Sequence, residues 1–220
     1  MRRLLFLALT AVSSGALGQH LPRGGSDEWS MHLLAIVGSD SYAFDSGATA
    51  RNDGGAGIGV SMARNLNNYF AIGLEATLAE FNYRASVAPG AGNAGAGFEA
   101  RGDMESLALR AHATWNLFAG PLTPFLSAAA GVIFLDPDLS GDAPADGCWV
   151  YPWHGTVCSD QAPHNTLTRL TYGAGAGLRY DLRARQGFVR AYVGGEWIQL
   201  SEASSAVGYV IIRADFGLSF

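Results

Sequence analysis

Hydrophobic and polar residues alternate along most of this chain with a period of two. The stretch "VIIRADFGLSF" shows it: Val210, Ile212, Ala214, Phe216, Leu218 and Phe220 fall on one side, and Ile211, Arg213, Asp215, Gly217 and Ser219 on the other. Successive side chains of a β-strand point to opposite faces, so the pattern predicts a strand with one oily face. That strand runs Val207–Phe220. Seven more stretches repeat the rhythm: Trp29–Gly38, Ala56–Leu66, Tyr69–Arg84, Met104–Phe118, Thr123–Leu135, Thr168–Leu182 and Phe188–Leu200. Each is long enough for the roughly 9–11 residues that a tilted strand needs to cross a bilayer.

The connections alternate in length. Asn67-Asn68, Ala119 to Pro121 and Arg183 to Gln186 are short and built of turn-forming residues. Ser39–Gly55, Ala85–Asp103 and Asp136–Asn165 are long, and Ser201–Ala206 is shorter but polar. This order predicts a meander with tight turns at one end and loops at the other. The expected fold is all-β: an eight-stranded antiparallel up-and-down transmembrane β-barrel.

A soluble barrel also alternates, with its apolar face inside, so the charged face must be located. Glu75, Arg110, Arg169, Arg179, Asp181, Arg190, Glu196, Arg213 and Asp215 all share a face with Gly, Ala, Ser and Thr. A water-facing exterior would instead carry many Lys, Glu, Gln and Asn. A narrow interior needs small residues around a few large ones. The polar face is therefore read as the lumen, where these nine charges pair, and the oily face as lipid-facing. Turning Arg213 toward the bilayer midplane would cost roughly 2–4 kcal/mol, which opposes the other register. The first and fifth strands, with "HLLAIV" and "LSAAAGVIF", are apolar on both faces and leave their register open. Trp29, Tyr69, Phe70, Trp115, Phe118, Phe188, Phe216 and Phe220 lie near strand ends, where aromatic girdles belong.

Composition agrees. Hydrophobic residues make up 49% of the chain, yet no run after residue 20 approaches the ~20 apolar residues of a membrane helix. The start "MRRLLFLALTAVSSGALGQ" has a basic head, an apolar run and a small-residue site, the layout of a secretory signal peptide cut before Gln19. Residues 1–18 are thus expected to be a leader, 19–28 a short polar lead and 29–220 the barrel. The 14 basic residues, all Arg, face 19 acidic ones, which argues against a nucleic-acid partner.

On these residues the chain resembles the small eight-stranded outer-membrane barrels of Gram-negative bacteria, the opacity-protein and OmpA/OmpW-like group. The likeness covers about Trp29 to Phe220 and is sharpest in "YVIIRADFGLSF". The resemblance implies an outer-membrane location, contact with outer-membrane lipid and lipopolysaccharide, and recognition by the barrel-assembly machinery. It also implies that Tyr209, Phe216, Leu218 and Phe220 form the assembly signal.

Candidate chemistry is sparse. Cys148 and Cys158 bound the loop segment "CWVYPWHGTVC", and in an oxidising compartment they read as one disulfide, stabilising by roughly 2–3 kcal/mol. With His154 and His164 they give a C-x5-H-x3-C-x5-H spacing that matches no standard zinc pattern. Trp149, Tyr151 and Trp153 in that loop either pack on one another or present a surface to an extracellular ligand. Asp136, Asp138, Asp142 and Asp146 start like a calcium loop, but Pro137 and the missing Glu at the twelfth position depart from it. Outer-membrane lipid A deacylases use a His and a Ser two apart on a strand; here His112 and Thr114 sit so, with Thr for Ser and on the lumenal face. No catalytic, cofactor-binding or metal-binding set is expected. The leading expectation is a non-enzymatic structural or surface-exposed barrel. The alternatives are a narrow channel for small solutes, a soluble periplasmic ligand-binding barrel and a lipid A-modifying enzyme.

Overall fold

The computed structural model describes residues 23–38, 42–43, 48–87, 98–138, 148–151, 155–158, 166–182, 186–199 and 206–220. Eight strands build the wall: β1 (Asp27–Val37), β2 (Ala48–Asn65), β3 (Phe70–Val87), β4 (Phe98–Asn116), β5 (Leu122–Asp138), β6 (Leu167–Leu182), β7 (Gly187–Gln199) and β8 (Val207–Ser219). Each pairs antiparallel with its sequence neighbours, and β8 pairs with β1, so the sheet closes. Closure continues one residue beyond β8, where the backbones of Asp27 and Phe220 exchange hydrogen bonds of 3.1 and 2.8 Å. A closed barrel leaves no strand edge unpaired, which a membrane interior demands.

The strands run past their expected ends. β2 begins at Ala48, β3 continues to Val87, β4 starts at Phe98 and β5 reaches Asp138, so much of the expected loop sequence is extended sheet. These extensions carry charges, which hid them from a search for oily faces. A bulge between Asn52 and Gly54 bends β2 where it leaves the apolar belt. Gly54 takes φ +111° there, with its N–H bonded to Asn52 Oδ1 at 2.7 Å. Two shorter pairings lie in the loops: Tyr42–Ala43 on β2, and a hairpin of Cys148–Tyr151 with Gly155–Cys158.

The outer face is apolar. Trp29, Met31, Leu33, Ile58, Leu74, Leu170, Ile212 and Phe216 are each about half exposed or more, and every barrel strand contributes such residues. Along β3 the outward row Phe70 to Leu78 carries no charge before Glu80. Nine residues at ~3.3 Å each, tilted by ~40°, give a height of roughly 20 Å, close to the apolar band of such barrels. Charged rims bound the belt. On the loop side Asp53 pairs with Arg51 and Arg84, and Glu99 with Arg84 and Arg101; on the turn side Arg64 meets Asp27.

The registers left open are now settled. β1 buries Glu28, Ser30, His32, Leu34 and Ile36 and exposes Trp29, Met31, Leu33 and Val37. β5 buries Thr123, Phe125, Ile133 and Leu135 and exposes Leu122 and Leu126. One expectation about the lumen needs correction, because it is not polar throughout. Toward the loops it is filled by Leu34, Ile36, Phe81, Tyr83, Met104, Ile133, Leu135, Ile198, Val207 and Ile211. Phe188 is also corrected: it lies 2% exposed inside the turn end and is no part of a girdle, whereas Trp29, Tyr69, Phe70, Trp115, Phe118, Phe216 and Phe220 face outward.

Lumenal glycines make room for the large side chains. A Cβ on Gly177 would stand 2.6 Å from the Phe125 ring, and one on Gly73 2.7 Å from His112. Replacing Gly177 by Val overpacks this layer and is expected to cost roughly 1–3 kcal/mol. The readout is the urea midpoint of refolded protein in detergent, and an unchanged midpoint would show slack in the lumen at that height.

Candidate functional site

Among the described residues, the buried charges are gathered in the turn-side half of the lumen, in two layers. Alternation delivers it: residues two apart on each strand share the interior, and closure brings eight such rows within reach of one another.

The lower layer centres on Glu28. Its carboxylate accepts from Asn65 Nδ2 at 2.7 Å and from Arg179 Nη1 at 3.0 Å and Nη2 at 2.8 Å, and it also pairs with Arg190. Arg179 Nε reaches Asp181 at 2.6 Å. Asp181 in turn accepts from Arg23, at 2.6 and 2.9 Å. Arg23 precedes β1 and folds under the barrel, where Nη2 donates to the Gly120 carbonyl at 2.7 Å and Nη1 to those of Phe118 at 3.4 Å and Asn68 at 3.5 Å. One guanidinium thus ties the β2–β3 and β4–β5 turns to the end of β6. The Phe188 ring lies under both Arg179 and Arg190, at 4.3 and 4.4 Å from its centroid, within cation–π range.

The middle layer centres on Glu75. Arg110 Nε stands 2.7 Å from one oxygen and Arg213 Nη1 2.8 Å from the other. Arg213 Nε also meets Asp215 at 2.9 Å, and Arg110 Nη1 pairs with Glu196, which accepts the Tyr209 hydroxyl at 2.7 Å. His32 Nε2 is 3.0 Å from Thr77 Oγ1. The network links β3, β4, β7 and β8 across the lumen.

Five guanidiniums (Arg23, Arg110, Arg179, Arg190, Arg213) meet five carboxylates (Glu28, Glu75, Asp181, Glu196, Asp215). The balance matters because a buried charge without a partner costs several kcal/mol. Asp215, His32 and Thr77 follow the order of a nucleophilic triad, but the His–Asp distance is 4.0 Å, beyond a hydrogen bond. Thr77 is buried in packed lumen. His112 and Thr114 are likewise buried inside the wall, away from lipid. No group of His, Cys, Asp and Glu among the described residues is arranged to hold a metal ion.

Of the nine charges expected in the lumen, eight join these two layers. Arg169 does not: it lies nearer the loop end, half-buried, and donates to the Thr168 carbonyl at 3.1 Å. Tyr209 points inward to Glu196, on the face opposite to Phe216, Leu218 and Phe220. Sequence reasoning missed Arg23 and Glu28 by placing both in the polar lead. Glu28, Ser30 and His32 alternate with Trp29, Met31 and Leu33, and starting β1 at Asp27 brings that signal out. Nothing local marks Arg23. The side chains of Cys148, Cys158, Trp149 and Tyr151, and the residues Trp153, Asp142, Asp146, His154, His164 and the leader, lie outside what the structure describes.

A closed eight-stranded antiparallel barrel, apolar outside, filled inside and turned tightly at one end, is the architecture of the small outer-membrane barrels. Among solved structures the chain is similar to Neisserial surface protein A, at 15% identity with a TM-score of 0.53, over 90% of this chain and 98% of that one. It is also similar to the N-terminal barrel domain of Pseudomonas aeruginosa OprF (16%, TM-score 0.44, 91% and 100%) and to the attachment invasion locus protein Ail of Yersinia pestis (13%, 0.43, 89% and 99%). No family model and no curated protein matches the chain. At these identities the likeness is one of fold.

Glu28→Gln should leave Arg190 buried without its anion and Arg179 with Asp181 alone, and cost roughly 3–5 kcal/mol. Glu99→Gln, on the exposed loop-side rim, should cost no more than about 1 kcal/mol. Equilibrium unfolding in detergent micelles compares the two, and equal effects would mean that the lumenal pair is not held dry.

Proposed function

We propose that this protein is a non-enzymatic structural or surface-exposed barrel of a Gram-negative outer membrane, exported through a cleaved leader and recognising partners, where it does so, through its long loops. The observation that carries the reading is the filled lumen inside an apolar wall. A solute would have to part a neutral ion-pair network and then the apolar residues Ile36, Phe81, Met104, Leu135 and Ile198 above it. That argues against a conducting role. A soluble ligand-binding barrel would keep its large apolar residues inside, whereas here leucines, isoleucines and tryptophans ring the exterior. Among the described residues, Thr77 and Thr114, the hydroxyls nearest the lumenal histidines, are buried, which disfavours an enzyme.

Two finer readings accompany this one. The outward row Phe216, Leu218 and Phe220, beside the β1–β8 closure, is the surface we assign to the barrel-assembly machinery. Cys148 and Cys158 stand directly opposite in the loop hairpin, a register that suits a disulfide, which would staple the extracellular aromatic loop. Lipopolysaccharide would surround the loop-side rim.

The mature protein is expected to require detergent and to migrate faster on gels when unheated than after boiling. A chain that stays soluble without detergent and shows no heat shift would sink the membrane reading. Planar-bilayer recording should show no steady conductance, and a stable open level would promote the channel instead.

A further inference from the structure

Two registered rows of outward side chains cross five adjacent strands. Asp27, Arg64, Ile72, Ala113 and Ala128 are successive cross-strand partners, and so are Trp29, Met62, Leu74, Ala111 and Ala130. Large side chains on β1 to β3 give way to alanines on β4 and β5, and the rows line an apolar groove of about 940 Å³ on the outer wall. Four inter-strand steps of ~4.8 Å make it roughly 19 Å long.

The groove is inclined. A cross-strand row runs perpendicular to the strands, and the strands tilt by ~40°. Asp27 opens β1 and Arg64 is next to the last residue of β2, so the row starts at the turn-side rim. Ala113 and Ala128 lie deeper within β4 and β5, so the far end climbs toward mid-belt. A lipid has this same polarity, with its head at the rim and its chain toward the midplane.

The mouth is charged on both sides. Arg64 Nη1 and Asp27 Oδ1 are 3.7 Å apart, with side chains 65% and 57% exposed, a loose pair that contributes little by itself. A cation and an anion side by side at headgroup depth complement a zwitterionic head. The arginine suits a phosphate, and the aspartate suits a primary ammonium, which can donate hydrogen bonds that a trimethylated one cannot.

We propose that this groove binds a phosphatidylethanolamine-type phospholipid of the turn-side leaflet, its phosphate on Arg64, its ammonium on Asp27 and one acyl chain along the alanine floor. The proposal rests on the membrane reading above and adds a specific lipid to it.

The test uses the purified full chain in detergent with equimolar phosphatidylethanolamine, phosphatidylcholine and phosphatidylglycerol, counting retained lipids by native mass spectrometry. The parent chain should retain phosphatidylethanolamine preferentially. Arg64→Gln should lower its retention roughly fivefold. Asp27→Asn should abolish the preference over phosphatidylcholine. Filling the floor with Ala113→Phe and Ala128→Phe together should strip the lipid while the heat-dependent gel shift persists. Equal retention of the three lipids by the parent, or a lipid count untouched by filling, overturns the proposal. So does a dimer that filling dissociates, which would make a second copy the occupant. A chain with no gel shift at all defeats the membrane reading itself, a failure distinct from a folded barrel indifferent to headgroup.

Discussion

An eight-stranded barrel encloses a lumen too narrow to be left empty, and in this chain charged side chains fill much of it. Charges out of water must be matched by opposite charges and saturated with hydrogen bonds, or the barrel does not close. Much of the structure follows from that requirement. Glu28 and Glu75 each hold two arginines from other strands, so each carboxylate fastens distant parts of the wall through the interior. The glycines of β6 and β7 have their place for the same reason: Phe125 and Tyr192 occupy space where Cβ atoms at Gly175, Gly177 and Gly194 would stand.

The two halves of the lumen divide the work by chemistry. Near the turns, ion pairs and cation–π contacts bind strand to strand, and Arg23 draws the turns together from below. Near the loops, where the strands rise past the belt, aliphatic and aromatic side chains close the interior; Phe81 and Tyr209 stack at 6.4 Å where the two regions meet. Outside, the order is reversed in meaning: apolar residues mark the belt, and ion pairs mark its rims. The wall thus presents a different polarity at each height, and the inclined groove between the turn-side rim and mid-belt is a consequence of that gradation.

Much of this is legible in the amino-acid sequence. Glu75, Arg110, Arg179, Arg190, Glu196 and Arg213 declare themselves lumenal because each sits among small residues on a strand whose other face is oily. The strands that resist such a reading, β1 and β5, do so because both their faces are apolar over part of their length; their inward rows meet the apolar loop-side filling, where alternation carries no contrast. Phe188 misleads for a related reason. An aromatic residue near a strand end suits a girdle or the lumen equally well, and only its parity with Arg190 places it inside.

The sequence alone determined the number of strands, their antiparallel order, the alternation of turns and loops, and which face of most strands meets lipid, because period-two alternation and turn residues are local properties. Tertiary structure alone decided the partners. That Glu28 of β1 serves arginines on β6 and β7, that Arg23 reaches two turns and the end of β6, and that Asp27 and Arg64 sit at the foot of an inclined groove all depend on strand stagger and closure. Those are set by the whole sheet at once, and no single stretch of the chain encodes them.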